Sequence, residues 1–311
     1  MSRQKDEPLV SVLIPCFNAE KYVERAVASI LNQTYENLEI WLINDASTDK
    51  TLQVLQTFTD SRIRIVDFET NTKKIGAVND VLEKVNGNFI AFQDADDWSE
   101  RTRISNQVAA FMADESLGLC LTGYQYFEKS NYTPQNLAIT PEELEYAFKH
   151  FYSAEAVKEL PACATMMIRR DVYAVIGGYH PFFKGRVAED IYWLYRIIKK
   201  FKAKTINEIL YHYRAHDTSL TGIQFSGGNV KAIYAWELLA NIIAEEEKEG
   251  IDVLAQFSKA QLNELELRSC EQKLVKLSKQ LIQQDIEFAN SISYKIGRII
   301  TRPFTWLKNR L

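Results

Sequence analysis

The 311-residue chain is 46% apolar and 25% charged and has a net charge of −4, a globular composition without the basic surplus that bulk nucleic-acid binding needs. Cys16, Cys120, Cys163 and Cys270 lie far apart with no CxxC pair, which fits neither a disulfide framework nor a zinc site and suggests a reducing, cytoplasmic setting. The polar start MSRQKDEP, and the lack of any uncharged apolar run of about 18 residues, give no sign of a signal peptide or a membrane span.

The first hundred residues alternate. VSVLIPCF, LEIWLIND, IRIVDF and FIAFQD are short and β-rich, with polar, helix-capable stretches after them. In AEKYVERAVASILNQ, residues Tyr22, Val23, Ala26, Val27 and Ile30 recur at helical spacing and mark one buried face. This alternation predicts an α/β fold with a mostly parallel central sheet and helices on both faces. Open sheets of this kind bind ligands beyond the carboxyl ends of their strands. Asn18, Asp45 and the acids of 94–97 stand at those ends. Further on, LGLCLTGYQYF predicts a strand, a helix-like stretch carries Glu189 and Asp190, and AKTINEILYHYR predicts one more strand.

After about residue 226 the chain reads as helical. Leu267, Cys270, Leu274, Leu277 and Leu281 step by three and four, a short heptad-like seam. It predicts either a helix packed back on the main domain or a homodimer through the C-terminal helices. Residues 291–311 carry Lys295, Arg298, Arg302, Lys308 and Arg310, no acid, and interleaved Ile, Phe, Trp and Leu. That mixture suits the surface of an anionic membrane and predicts peripheral attachment to the inner face of the cell membrane. The expected domains are 1–225, a helical extension 226–290 and the basic segment 291–311.

FIAFQDADDW places three carboxylates, Asp94, Asp96 and Asp97, within four positions. A helix N-terminus capped by Asp97 or Ser99 accounts for one acid and leaves two unexplained. An EF-hand loop counted from Asp94 needs Gly and Glu where Ser99 and Ser105 stand. A hard divalent cation, Mn²⁺ or Mg²⁺, shared with a diphosphate accounts for the group, because such ions take one or two carboxylates plus phosphate oxygens. Without the cation, the crowded charge predicts a strained cluster and a mobile loop around Trp98.

The motifs SVLIPCFNAEKYVERAVASILNQTYENLEIWLINDASTDKT, FIAFQDADDW, RRDVYAVIGGY and AEDIYWLYR, in that order, resemble family 2 glycosyltransferases of GT-A fold over about residues 9–220. The resemblance implies a nucleobase pocket at Pro15 and Phe17, with Asp45 on the base, commonly uracil. It places Asp94 near the ribose of a nucleotide-sugar donor and Asp96 on the metal. It implies Asp190 as catalytic base, with Glu189, Gly177 and Gly178 on the acceptor side. His216 completes the metal shell in this reading, and His212 is a weaker candidate. The segment NTKKIGAVND departs from the family, which often has Gly near Lys73 or Lys74.

The implied reaction is inverting transfer of a sugar, commonly from a UDP-sugar, to a glycan or lipid-linked glycan in cell-surface polysaccharide biosynthesis. No nucleic acid is expected as partner. Two other readings share the architecture: a sugar-phosphate nucleotidyltransferase, whose glycine-rich basic loop is replaced here by PCFNAEKYV, and a non-catalytic glycan-binding protein.

Overall fold

A computed structural model describes residues 7–127, 138–149, 161–214 and 234–290. Among these, the strands β1 (Val10–Cys16), β2 (Leu38–Asn44), β3 (Ile63–Asp67), β4 (Phe89–Phe92), β5 (Trp98–Ser99), β6 (Leu117–Phe127), β7 (Met167–Arg169) and β8 (Lys202–Arg214) form one sheet in the order β3-β2-β1-β4-β7-β6-β8-β5. β1 is central and parallel to β2 and β4, and β3 is parallel to β2. β6 and β8 are also parallel, while β7 and β5 run antiparallel to their neighbours, so the sheet is mixed but mostly parallel.

The period-2 rule of strands divides two cores cleanly. On one face Val10, Val12 and Ile14 of β1 meet Val23, Val27 and Ile30 of helix α1 (Val23–Leu31) and Ile104, Val108 and Phe111 of α4 (Arg103–Ala113). On the other face Leu13 and Ile43 pack with Ile75, Val78 and Leu82 of α3 (Lys73–Leu82). The same core takes in α6 (Arg170–Ile176) and α7 (Glu189–Ile198). Two shorter helices, α2 (Thr51–Leu55) and α5 (Pro141–Lys149), complete this part.

The chain moves outward from β1 to β2 and β3, then returns across β1 to β4. The order therefore reverses between β1 and β4, and a crevice opens beyond their carboxyl ends.

The extension contains α8 (Ala235–Glu249), α9 (Val253–Gln256) and α10 (Lys259–Asn290). Ser258 and Gln261 open α10 as a reciprocal cap. Leu238, Leu239, Ile242, Val253 and Leu265 join the core that holds α7, so the first turns of α10 pack back through α8. Of the seam, Leu267, Leu274 and Leu281 are exposed, while Cys270 is partly buried against that core.

Candidate active site

The loop after β1 and the loop after β2 clasp each other. Asn18 Oδ1 accepts from Thr48 N at 2.8 Å, Ser47 Oγ accepts from Asn18 N at 3.0 Å, and Thr51 Oγ1 accepts from Ala19 N at 2.7 Å. Asn18, Ala46, Lys73 and Ala188 have φ of 51°, 54°, 65° and 75° and are the described non-glycine residues with positive φ. Asn18 and Ala46 follow β1 and β2, Lys73 opens α3 and Ala188 precedes α7. Such backbone persists only where its surroundings hold it, and it clusters at working sites. Lys73, in the stretch where the family often has Gly near Lys73 or Lys74, therefore holds a left-handed conformation that glycine would adopt without strain.

The predicted base-binding residues lie at this edge. Pro15 lines a small pocket with Lys74, Phe92, Asp94, Cys163, Ala164 and Tyr179. Phe17 is 50% exposed, a bare aromatic ring at the rim. Asp45 is buried, and its Oδ1 accepts from Thr72 N at 2.7 Å and Thr72 Oγ1 at 2.9 Å.

The acid cluster is ordered by β8, which the sequence reading did not connect to it. Tyr211 Oη donates to Asp97 Oδ2 at 2.8 Å and accepts from Asp94 N at 3.1 Å and Gln93 Nε2 at 3.3 Å. Asp97 Oδ1 accepts from Arg214 N at 2.7 Å, and Arg214 Nε donates to the Asp96 carbonyl at 2.9 Å. Burial, followed by the charges of Asp96 and Asp94, pushes the Asp97 carboxyl well above the usual range. Asp97 therefore is not a helix cap: α4 begins only at Arg103 after Thr102, with no capping side chain.

Trp98, in the loop expected to be mobile without a cation, is closely packed. Trp98 pairs with His212 across β5 and β8, stacks on its imidazole at 4.8 Å and lies under the Arg25 guanidinium at 3.4 Å. With Asp97 bonded to β8 and Asp94 to Lys74, the acids have partners that the sequence did not disclose. His212 itself contacts Gln125 at 2.8 Å and Glu100 at 2.6 Å; those bonds occupy both ring nitrogens.

Lys74 joins the two halves of the site. Its Nζ lies 3.0 Å from Asp94 Oδ1. Burial opposes its charge, but Asp94, Tyr179, Asp190 and Glu189 together hold its pKa well above the usual lysine range. Glu189 is pushed up to about 7, by burial first and then by the charge of Asp190. Burial also raises Asp190, whose Oδ1 accepts from Ile191 N at 2.8 Å. Adjacent carboxylates with raised pKa values are the raw material of an acid–base site.

The glycine pair before them has a physical reason. Gly177 has φ of 75°, and its carbonyl accepts from Trp193 Nε1 at 2.8 Å. A Cβ on Gly178 would lie 2.2 Å from Asn79 Oδ1. Asn79 in turn holds the turn closed, accepting from Tyr179 N and donating to Tyr179 O, both at 2.8 Å. Asn79 is a second residue that sequence reasoning missed, since its partner is a hundred positions away.

The sequence model of "Glycosyl transferase family 2" matches residues 11–177, more than half of the chain. The chain belongs to glycosyl transferase family 2. Among relatives of this glycosyltransferase, TuaG of Bacillus subtilis, which is named for teichuronic acid biosynthesis, is 32% identical over 69% of this chain and 82% of its own length. The Escherichia coli UDP-Glc:alpha-D-GlcNAc-diphosphoundecaprenol beta-1,3-glucosyltransferase WfaP is 32% identical over 70% of this chain and 81% of its own. The mannosyltransferase PcManGT from Pyrobaculum calidifontis, solved with GDP-Man and Mn²⁺, shares the fold at 16% identity, with a TM-score of 0.56 over 96% of this chain and 85% of its own. The family match ends before Glu189 and Asp190.

The donor set suits a hard cation. Among the described residues no group of three or more His, Cys, Asp or Glu converges as a complete metal site, and His216 lies outside the described residues. Asp97 is held by Tyr211 and Arg214, and Asp94 by Lys74. The half-buried Asp96 stands between them, and its charge raises the Asp97 carboxyl. Surplus negative charge on oxygen donors, with too few protein ligands for a full shell, fits a family 2 enzyme whose Mg²⁺ or Mn²⁺ is completed by phosphate oxygens.

Proposed function

We propose that the chain is an inverting glycosyltransferase that moves a sugar from a nucleotide-sugar donor, a UDP-sugar in the first instance, to a glycan or lipid-linked glycan in cell-surface polysaccharide synthesis. The observation that carries the reading is the pairing of two partly buried carboxylate groups at one crevice, with Lys74 bonded to Asp94 and its charge favoured by Asp190 and Glu189. One group faces the donor and the other serves the acceptor. The named activity of WfaP, with its UDP-linked donor and lipid-linked acceptor, supports the choice of substrates.

In this reading Phe17 stacks on the base while Pro15 and Asp45 close the pocket around it. Asp94 holds the ribose and Asp96 the metal. The cation, when bound, offsets charge on the departing diphosphate. Asp190 takes the proton of the acceptor hydroxyl as its oxygen attacks the anomeric carbon from the face opposite the nucleotide. The bond from that carbon to the diphosphate breaks, the nucleoside diphosphate leaves, and the configuration inverts. Glu189, with its raised pKa, stays largely protonated beside Asp190 below neutral pH, so one charge rather than two occupies the acceptor side.

The test is Asp190→Asn. Turnover, measured as UDP release from a panel of UDP-sugars with Mn²⁺, is expected to vanish while Mn²⁺-dependent UDP binding persists. Wild-type turnover in that variant refutes the assignment. The basic segment 291–311 and the exposed leucines of α10 are assigned to membrane contact and to a homodimer, respectively. Deleting 291–311 is expected to weaken binding to anionic liposomes and to spare activity in solution.

A further inference from the structure

The segment that leads into the catalytic helix is held from outside the family domain. Residues 184–188 connect a 3-10 turn (Pro181–Phe183) to α7, and they contain two left-handed residues, Gly185 at φ 76° and Ala188 at φ 75°. Alanine relaxes from that conformation unless something fixes it. Between the two stands Arg186. Its Nη1 donates to the Phe182 carbonyl at 2.8 Å, and its Nη2 reaches both carboxylate oxygens of Glu266 on α10, at 2.9 and 3.0 Å. The guanidinium also lies over the Phe182 ring at 4.5 Å. Tyr234, at the start of α8, donates to the same Glu266 at 2.5 Å.

This ion pair is shielded, with the Arg186 side chain 13% exposed, so its geometry is better fixed than that of a surface pair. The grip continues along α7. Tyr192 Oη donates to Glu246 at 2.8 Å and Tyr195 Oη to Glu247 at 2.7 Å, both acceptors on α8. Those two bonds, with the apolar face of α7 in the core, pack the helix. Arg186 does something else: it anchors the backbone four residues before Asp190. The donor acids are held differently, Asp97 by β8 and Asp94 by α3.

We infer that Arg186, Glu266 and Tyr234 are positioning residues through which the C-terminal extension sets the place of Asp190. The inference rests on the reading of Asp190 as base. Removing the Glu266 charge frees Arg186, loosens the left-handed turn and displaces the carboxylate at Asp190 relative to the acceptor, while the donor pocket keeps its contacts. The signature is a loss of kcat without a loss of nucleotide affinity.

The test uses the full chain with three variants: Glu266→Gln, Tyr234→Phe, and Asp190→Asn as control. UDP binding with Mn²⁺ is measured by calorimetry, turnover as UDP release from UDP-glucose, and hydrogen exchange of the 185–191 amides in the UDP–Mn²⁺ complex. Glu266→Gln is expected to bind UDP within about twofold of wild type, to lose about tenfold in kcat and to exchange faster over 185–191. Tyr234→Phe, which keeps every charge, is expected to move kcat and exchange in the same direction by about threefold. Unchanged exchange over 185–191 in both variants overturns the inference, and so does UDP affinity that falls in step with kcat. Asp190→Asn turnover equal to wild type refutes the base assignment instead. The exchange readout needs no donor sugar, so the two failures are distinguishable.

Discussion

The acid cluster at 94–97 and the carboxylate pair at 189–190 face the same crevice, yet different parts of the chain hold them. The first hangs between β4 and β5 and is tied by buried, fully paired bonds to Tyr211 and Arg214 of β8. The second stands at a helix start behind a left-handed alanine and is braced by α8 and α10. The donor side is built into the sheet, which in the proposed reading presents fixed oxygens to a nucleotide and a cation. The acceptor side depends on the helical extension instead. A scaffold of this kind lets acceptor geometry change while nucleotide binding stays put.

Substitutions that strike one side alone sharpen this contrast. The largest effect is expected from Tyr211→Phe, which leaves Asp97 short of a hydrogen bond and Asp94 N without its acceptor. UDP–Mn²⁺ affinity should fall about 10–100-fold, the range for a lost outer-shell partner, with the 185–191 amides unchanged in hydrogen exchange. Equal loosening of both sides would erase the distinction. Next is Glu189→Gln. The Glu189 carboxyl titrates at about 7 in the fold against about 4.3 in an open chain, so the native state binds more protons between those values. Stability from this group is therefore present at low pH and lost as pH rises through about 7. The glutamine variant should gain on wild type by about 2–3 kcal/mol between pH 5 and pH 8 in denaturant titrations. A parallel pair of stability curves would contradict it.

The smallest effect is expected from Lys73→Gly. With φ at 65°, glycine removes the left-handed penalty and should add about 1 kcal/mol to stability. Catalysis should be unaffected, because Lys74 rather than Lys73 contacts Asp94. A loss of stability would mean that Lys73 makes up the strain through its side chain.

Much of the donor side was legible along the chain. FIAFQ reads as a buried strand because four apolar residues in a row can only be covered on both faces, and the acids after it must then emerge at the sheet edge. That Asp94, Asp96 and Asp97 are unequal was only partly legible. Asp97 is singled out by Tyr211 and Arg214, more than a hundred residues later, and a single sequence does not announce such a pairing. The packing of Trp98 was hidden for the same reason: its partners Arg25 and His212 come from α1 and β8. The strain at Lys73 was hinted at by the missing family glycine, but φ is a property of the folded backbone. Asn79 and Arg186 had no local mark at all, being ordinary polar residues whose roles come from one distant contact each.

The sequence by itself determined the alternation of strands and helices and the delivery of acids to one edge, because hydrophobic period is local and the acids directly follow the strand. Only the tertiary structure decided which acid is paired, why the glycines before Asp190 are needed and what braces the catalytic helix. Those outcomes depend on hydrogen bonds between residues far apart in the chain, whose directions are fixed only once both partners are packed.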